Sequence, residues 1–284
     1  MRSRLSRVFL LPGAVWLLIL FVVPFGIVIA VSLGTTNVVG FPVYGWHPGN
    51  YAMVFQPLFL PVLLRSVLFA VVTTALCLLI GYPVAYTVAR FGGRYKNALI
   101  ALLLLPWFVD YLVRIYAWVV ILGNEGLLNG LLAKLGMHGN PPVRFIDTPY
   151  AVIGGLVYDY LPFMIFPIYA ALEQMNPAVI EAGKDLYGTP GRTFWHVTWP
   201  SSLQGVLAGC VLVSLPAVGD FATAQLLGGP NTYMIGNLIS DQMVEVTGAW
   251  PFGAALTVVL MALLSFAVIA YVRSAARATA EAIW

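Results

Sequence analysis

Three aspartates lie within stretches that are otherwise apolar: Asp110, Asp159 and Asp220. Each lies within about one helical turn of a leucine-proline pair, at Pro106, Pro162 and Pro216. Carboxylates in apolar surroundings are costly, and inside a membrane span they mark a path for an ion or solute by default. A proline frees a backbone carbonyl and bends its helix, which a membrane tolerates only beside protein or a water-filled cavity. The pattern predicts three bent helices around a wet path for a cation.

The residues around these acids leave two interpretations open. Arg114 follows Asp110 by four positions, so the two could pair on one helix face and serve structure alone. Three acids against one arginine nevertheless leave net negative charge. Aromatic side chains close by suit an alkylammonium group through cation–π attraction, although any one of them could equally be packing. They are Trp107, Tyr111, Tyr158 and Tyr160.

The composition shows which elements must hold these residues. Of 284 residues, 61% are hydrophobic and only 9% charged, whereas a soluble domain carries about a quarter charged residues. We therefore predict an all-α polytopic membrane protein that forms a single transmembrane domain over 1–284. Apolar windows long enough to cross a bilayer number six. They lie at about 8–33, 64–89, 98–122, 149–172, 204–227 and 250–272. At about 1.5 Å per residue, the three acids fall between the midplane and the outer face.

Basic residues predict the orientation of the chain. With both termini in the cytoplasm, the inner segments carry ten lysines and arginines and the outer segments three. The inner ones are Arg2, Arg4, Arg7, Arg90, Arg94, Lys96, Lys184, Arg192, Arg273 and Arg277, and the outer ones are Arg65, Lys134 and Arg144. The first apolar run is too long for a signal peptide, whose core has about 7–15 residues, so we expect it to remain as the first helix.

The loops differ between the two sides. The outer loops, 34–63 and 123–148, are either docking surfaces for an external partner or plain connectors, and EGLLNGLLAKLGM within the second predicts a short helix. The inner loop 174–204 predicts two short helices, each starting at a cap-proline pair, with a turn at Gly188 and an end at Pro200. Small residues on the first helix would let another backbone approach: Ala178, Ala182 and Gly183. The alternative is a surface hairpin that merely joins two spans.

The stretch EAGKDLYGTPGRTFWHVTWP, residues 181–200, resembles the EAA loop of type I ABC importer permeases. Glu181, Ala182 and Pro200 match that pattern, whereas Gly183, Tyr187 and Trp199 depart from it. The resemblance implies the type I permease fold and an inner loop that receives force from an ATPase. The residues implied in that coupling are Glu181, Ala182, Gly183, Lys184, Asp185, Gly188 and Pro200.

Longer stretches resemble the spermidine/putrescine branch of that family, among them LPWFVDYLVRIYAWVVILGNEGLLN, LVYDYLPFMIFPIYAALE and LPAVGDFATAQLLGGPNTYMIGNLI. This implies a bacterial inner-membrane importer with a second, different permease subunit, two ATPase subunits and a periplasmic or lipid-anchored binding protein. No G-x-x-x-x-G-K-[ST] phosphate loop occurs in the sequence. We therefore expect no cofactor on this chain, with ATP and magnesium bound by the ATPase partner.

Two other classes of function fit the sequence less well. An ion-gradient transporter would use the buried acids as proton carriers, but it gives no role to the helical inner loop. An intramembrane enzyme is disfavoured, because His47, His138 and His196 are far apart in loops and no H-E-x-x-H or G-x-S-x-G motif occurs. We expect no catalytic residue, no metal site and no nucleic-acid partner.

Overall fold

The computed structural model describes residues 2–137, 139 and 141–281, so His138 lies outside the described part. Six helical segments in that part are long and apolar enough to cross a membrane, which confirms the predicted all-α polytopic fold. They are Val15–Ser32, Leu60–Phe91, Tyr111–Lys134, Pro149–Glu173, Pro190–Gly219 and Trp250–Tyr271. The first, second, fourth and sixth agree with the predicted windows to within several residues, and the third and fifth differ.

The α-helices and strands follow one another along the chain with short turns between them. They are α1 Arg2–Ser32, β1 Thr35–Thr36, β2 Pro42–Val43, α2 Gly49–Val54, α3 Leu60–Phe91, α4 Lys96–Leu104, α5 Tyr111–Leu122, α6 Leu127–Lys134, α7 Pro149–Glu173, α8 Pro177–Tyr187, α9 Pro190–Thr193, α10 Trp199–Gly219, α11 Ala222–Leu227, α12 Ile235–Ser240 and α13 Trp250–Glu281. The chain forms two compact units, one of 1–61 with 238–267 and the other of 62–237 with 268–284.

The first unit contains a small hairpin that follows α1. Strands β1 and β2 pair antiparallel, with Thr35 opposite Val43. The side chain of Asn37 accepts hydrogen bonds from the amides of Val39 and Phe41, which fixes the tip of the hairpin. The outer segment that the sequence indicated as a loop therefore contains a hairpin and the short helix α2. Its role as a docking surface stays a prediction.

The core of the second unit lies between α7 and α10, which pack closely because glycines face the neighbouring backbone. A Cβ atom on Gly205 would lie 2.5 Å from the carbonyl oxygen of Pro167, and one on Gly209 would lie 2.7 Å from the sulfur of Met164. Small residues of this kind let membrane helices approach, and dispersion contacts then stabilise the pair. This contact fixes α7, which carries Asp159, against α10, which leads to Asp220.

The third predicted span is not one helix. Helix α4 ends at Leu104, a 3₁₀ turn covers Leu105–Phe108, and Val109 is extended before α5 begins. The proline at position 106 has no N–H to continue an α-helix, and Asp110 restarts it by accepting a hydrogen bond from the amide of Leu112 at 2.9 Å. The predicted span 98–122, expected to bend at Pro106, is therefore broken into separate helices. The candidate span begins later, at Tyr111.

The fifth span also differs from its predicted bounds. Pro200 was expected to end the second inner helix, but it lies in the first turn of α10, where proline is tolerated. A π-helical segment, Phe194–Thr198, joins α9 to α10, so the helical run is continuous from Pro190 to Gly219. The run stops at Asp220 and resumes as α11, within the window 204–227 that was predicted as a single span.

Candidate functional site

Asp159 and Arg114 form an ion pair between α7 and α5. Their side chains are 2% and 9% exposed, and Arg114 Nη2 lies 3.5 Å from Asp159 Oδ1. This distance is longer than the 2.7–2.9 Å typical of a charge-assisted hydrogen bond. Neither carboxylate oxygen of Asp159 has a hydrogen-bond partner among the described residues, and Arg114 Nε and Nη1 have none either. The pair is buried but loosely joined.

Two aromatic rings flank the guanidinium group of this pair. Arg114 Cζ lies 5.3 Å from the ring centre of Trp107 and 5.9 Å from that of Tyr111, within the range of cation–π attraction. Trp107 also packs edge-on against Phe163 at 4.4 Å. Its indole Nε1 is buried without a hydrogen-bond partner in the described part of the chain. A cation beside Asp159 thus meets one carboxylate and two aromatic faces.

Asp220 is held differently, because three hydroxyl groups donate hydrogen bonds to its carboxylate. Its Oδ2 accepts hydrogen bonds from Tyr111 Oη at 2.6 Å, Tyr160 Oη at 2.9 Å and Thr223 Oγ1 at 3.2 Å. Its Oδ1 accepts one from the backbone amide of Thr223 at 2.9 Å. These hydrogen bonds hold the buried carboxylate of Asp220 at the point where α10 ends.

The helix break beside Asp220 is closed by the segment that starts α12. A Cβ on Gly236 would lie only 2.4 Å from the carbonyl oxygen of Gly219, so no larger residue fits there without movement. The side-chain Nδ2 of Asn237 donates to the backbone carbonyl of Phe221 at 2.8 Å, which satisfies a group that the break exposes. Sequence reasoning missed Gly236 and Asn237. The only local signal was a glycine-asparagine pair after an apolar run.

The structure brings most of the predicted pathway residues together. Tyr111 links the two acids, since its ring faces Arg114 while its hydroxyl binds Asp220. The alternative pairing of Asp110 with Arg114 is wrong for this structure: Arg114 pairs with Asp159, and exposed Asp110 caps α5 instead. Tyr158 packs on Trp118, with ring centres 5.5 Å apart.

The inner loop forms the two helical pieces that the sequence predicted. Asn176 caps α8 by accepting from the amide of Ala178 at 3.0 Å, and Pro177 occupies its first turn. Gly188 ends α8 in the left-handed region, with φ 68°, as the predicted turn requires. Most of the predicted coupling residues on α8 are exposed, namely Glu181, Ala182, Lys184 and Asp185. They form a polar helix face available to another protein.

Gly183 does not contribute to that open face. It is buried, and a Cβ there would lie 2.8 Å from Val197 Cγ2. Thr193 Oγ1 donates to the carbonyl of Gly183 at 3.3 Å, which ties α8 to the helical run beginning at Pro190. The expectation that small residues admit another protein's backbone is therefore corrected at this position, because the chain's own helix fills the space.

Among the residues that the structure describes, no group of three or more histidine, cysteine, aspartate or glutamate side chains could hold a metal ion. The two remaining histidines lie in separate places. His196 stacks on Tyr187 at 4.7 Å beside α8, whereas His47 lies in the outer loop of the first unit.

Comparison with known proteins places the chain in a family. Residues 78–280 match the model described as the inner-membrane component of binding-protein-dependent transport systems, and the chain belongs to this family. It is an inner-membrane permease subunit of an ABC importer and not an enzyme, since the ATPase of such importers is a separate subunit.

Two curated relatives are similar along most of their length. The spermidine/putrescine transport system permease protein PotB of Haemophilus influenzae is 37% identical, over 91% of this chain and 90% of the relative. The protein of the same name from Escherichia coli is 36% identical, over 91% of this chain and 94% of its own length.

More distant matches agree on the fold. An inner-membrane ABC transporter permease of Escherichia coli, YdcU, is 31% identical over 76% of this chain and 72% of its own length. A bacterial ABC transporter that imports the acidic polysaccharide alginate has a chain that superposes with a TM-score of 0.65. That chain is 21% identical, and the match covers 96% of both chains, which shows a shared type I permease fold.

Proposed function

We propose that this chain is a permease subunit of an ATP-driven importer of polyamines. The similarity to two spermidine/putrescine permeases over nine-tenths of the chain supports the substrate class. The observation that carries the proposal within the molecule is Asp159, a carboxylate 2% exposed whose two oxygens accept no hydrogen bond from the described residues. A protonated amine could donate the hydrogen bonds that these oxygens do not receive from Arg114.

The surroundings of Asp159 suit an alkylammonium ion better than a small inorganic cation. A polyamine alternates charged amines with methylene segments, so it needs carboxylates in series with apolar or aromatic surface between them. Asp159 provides one anion and Asp220 a second, and the ring of Tyr111 lies beside both. The hydroxyl groups on Asp220 hydrogen-bond its carboxylate while no amine is near, which offsets part of the cost of burying it.

The inner helix α8 is the proposed contact for the ATPase partner. Its polar face carries Glu181, Lys184 and Asp185 in exposed positions, and its backbone is fixed to α10 through the run Pro190–Thr198. A push on α8 is therefore transmitted to α10 and to the helix break at Asp220. We place α8 and both termini in the cytoplasm, since basic residues gather on that side.

The assembly that we propose has two different permease subunits, two ATPase subunits and an external solute-binding protein. ATP and magnesium bind the ATPase subunits, and this chain contributes the path and the coupling helix. A transporter of similar fold, the bacterial alginate ABC transporter, was solved in complex with a periplasmic protein that carries an alginate pentasaccharide, which supports an external delivery partner of this kind.

The experiment is ATP-driven uptake by proteoliposomes that contain the complete importer and its binding protein. Radiolabelled spermidine and putrescine should accumulate only when ATP is supplied on the side of the membrane that the ATPase subunits face. Molybdate, an anionic control solute, should not accumulate. If the importer takes up neither spermidine nor putrescine, the polyamine assignment is overturned. Amine uptake by this chain alone, driven by a pH gradient without ATP, would favour the ion-gradient transporter instead.

A further inference from the structure

The position of Arg114 resembles that expected of a substrate amine. Its guanidinium lies against the carboxylate of Asp159 and faces the rings of Trp107 and Tyr111, at 5.3 Å and 5.9 Å. These are the contacts that a protonated amine would make at the same place. We propose that Arg114 is a resident cation, which occupies the amine site and must be displaced when a polyamine passes. This inference rests on the proposed function.

The ion pair is poorly suited to a purely structural role. Burying two charges is repaid only when the geometry is good and further hydrogen bonds satisfy both groups. Here the shortest described N–O distance is 3.5 Å, and Arg114 Nε and Nη1 lack partners among the described residues. A loose pair costs little to exchange. A substrate amine that replaces the guanidinium leaves the buried charge of Asp159 neutralised.

A displaced Arg114 has a second carboxylate within reach on its own helix. Asp110 lies one helical turn earlier, where its backbone carbonyl accepts a hydrogen bond from the amide of Arg114 at 3.1 Å. The carboxylate of Asp110 is exposed and uses Oδ1 to cap the amide of Leu112. Arg114 thus has two alternative anions: Asp159 in the absence of substrate and Asp110 when an amine occupies the site. This exchange makes Arg114 a specificity-determining residue, because an uncharged solute cannot displace it.

The test is equilibrium binding of radiolabelled spermidine to the complete membrane assembly in lipid nanodiscs, without the binding protein. Arg114→Gln removes the competitor and should tighten binding about tenfold, as loss of about 1.4 kcal/mol of competition would do. Asp110→Asn keeps a good helix cap but removes the second anion, so it should weaken binding about threefold. Asp147→Asn is the matched control, since Asp147 is an exposed acid paired with Arg144 at the surface.

A double variant separates this exchange from simple attraction. If Asp110 acts by receiving Arg114, then Asp110→Asn has no effect in the Arg114→Gln background. Equal weakening in both backgrounds overturns the exchange, and so does unchanged or weaker binding in Arg114→Gln. Unchanged binding in Asp110→Asn overturns it even if Arg114→Gln fails to assemble. If the wild-type importer takes up neither spermidine nor putrescine, the proposed function is overturned as well. If uptake is normal but the variants do not show the expected changes in spermidine binding, this inference alone is overturned.

Discussion

Arg114 faces Asp159 on the neighbouring helix α7 and not Asp110, which precedes it by four residues. The pair lies between α5 and α7 at the level of the proposed amine site. It also leaves Asp110 exposed at the start of α5. The second acid, Asp220, is held by hydroxyl groups from α5, α7 and α11, so the two carboxylates differ in how easily a passing cation can reach them.

The hydroxyl groups around Asp220 should be needed for stability. Tyr160→Phe removes a donor at 2.9 Å from a carboxylate that is 6% exposed. A hydrogen bond to a charged group contributes about 1.5–3 kcal/mol, so the variant should lower the midpoint of thermal unfolding of the purified assembly. Tyr116→Phe on the exposed face of α5 is the control and should leave the midpoint unchanged. Equal midpoints in the two variants would show that Asp220 does not depend on Tyr160.

The turn at Gly188 should be needed for coupling. Its φ of 68° is in the left-handed region, where an alanine costs about 1 kcal/mol. We expect Gly188→Ala to tilt α8 and to raise the number of ATP molecules hydrolysed per amine imported, with normal amounts of assembled importer. Gly191→Ala, three residues on, has an ordinary φ and open space at its Cβ, so its ratio should match the wild type. A wild-type ratio in Gly188→Ala would remove the turn from the coupling mechanism.

Close packing at Gly183 should hold α8 in place. Alanine there would put its Cβ 2.8 Å from Val197 and 3.2 Å from Thr193. The π-helical segment Phe194–Thr198, which packs against Gly183, is continuous with α10 and cannot easily move away. The added methyl group should therefore push α8 away from that segment. Limited proteolysis should cut Gly183→Ala within 174–190 faster than the wild type. Proteolysis of Gly191→Ala is the comparison, and equal rates in all three proteins would contradict the prediction.

The predicted orientation can be read by labelling single cysteines. In a background with Cys77 and Cys210 replaced by alanine, Val38→Cys should react with a membrane-impermeant maleimide added outside spheroplasts, because Val38 is fully exposed at the hairpin tip. Ala182→Cys on α8 should react only after the membrane is permeabilised. The reverse pattern would place both termini outside.

Hydropathy and helix-capping residues allow much of the fold to be predicted from the sequence. Apolar windows indicated six spans, because the cost of burying charge in lipid leaves a clear mark on composition. The cap at Asn176 and the turn at Gly188 were likewise visible, since both depend on local chemistry. Pro106 and Pro216 predicted bends near 105–110 and Asp220 but not complete breaks, because the flanking residues are as apolar as those of an unbroken helix.

Tertiary pairing could not be read from spacing. The spacing of four residues indicated Asp110 as a partner for Arg114, whereas Asp159 becomes its partner because α5 lies beside α7. Two of the hydroxyl groups that bind Asp220 come from residues distant along the chain: Tyr160 is 60 positions and Tyr111 is 109 positions away. Four of the coupling positions on α8 are exposed, namely Glu181, Ala182, Lys184 and Asp185, but their contact with an ATPase stays a prediction.

The central claim is that Asp159 receives the protonated amine. It is tested most directly by ATP-driven spermidine uptake into proteoliposomes containing either the wild-type importer or the Asp159→Asn variant, at equal amounts of assembled complex. Loss of one carboxylate–ammonium contact worth about 1.4 kcal/mol should lower uptake at subsaturating spermidine about tenfold, with ATPase activity retained. Uptake by Asp159→Asn equal to the wild type would contradict the claim and would assign Asp159 to structure alone.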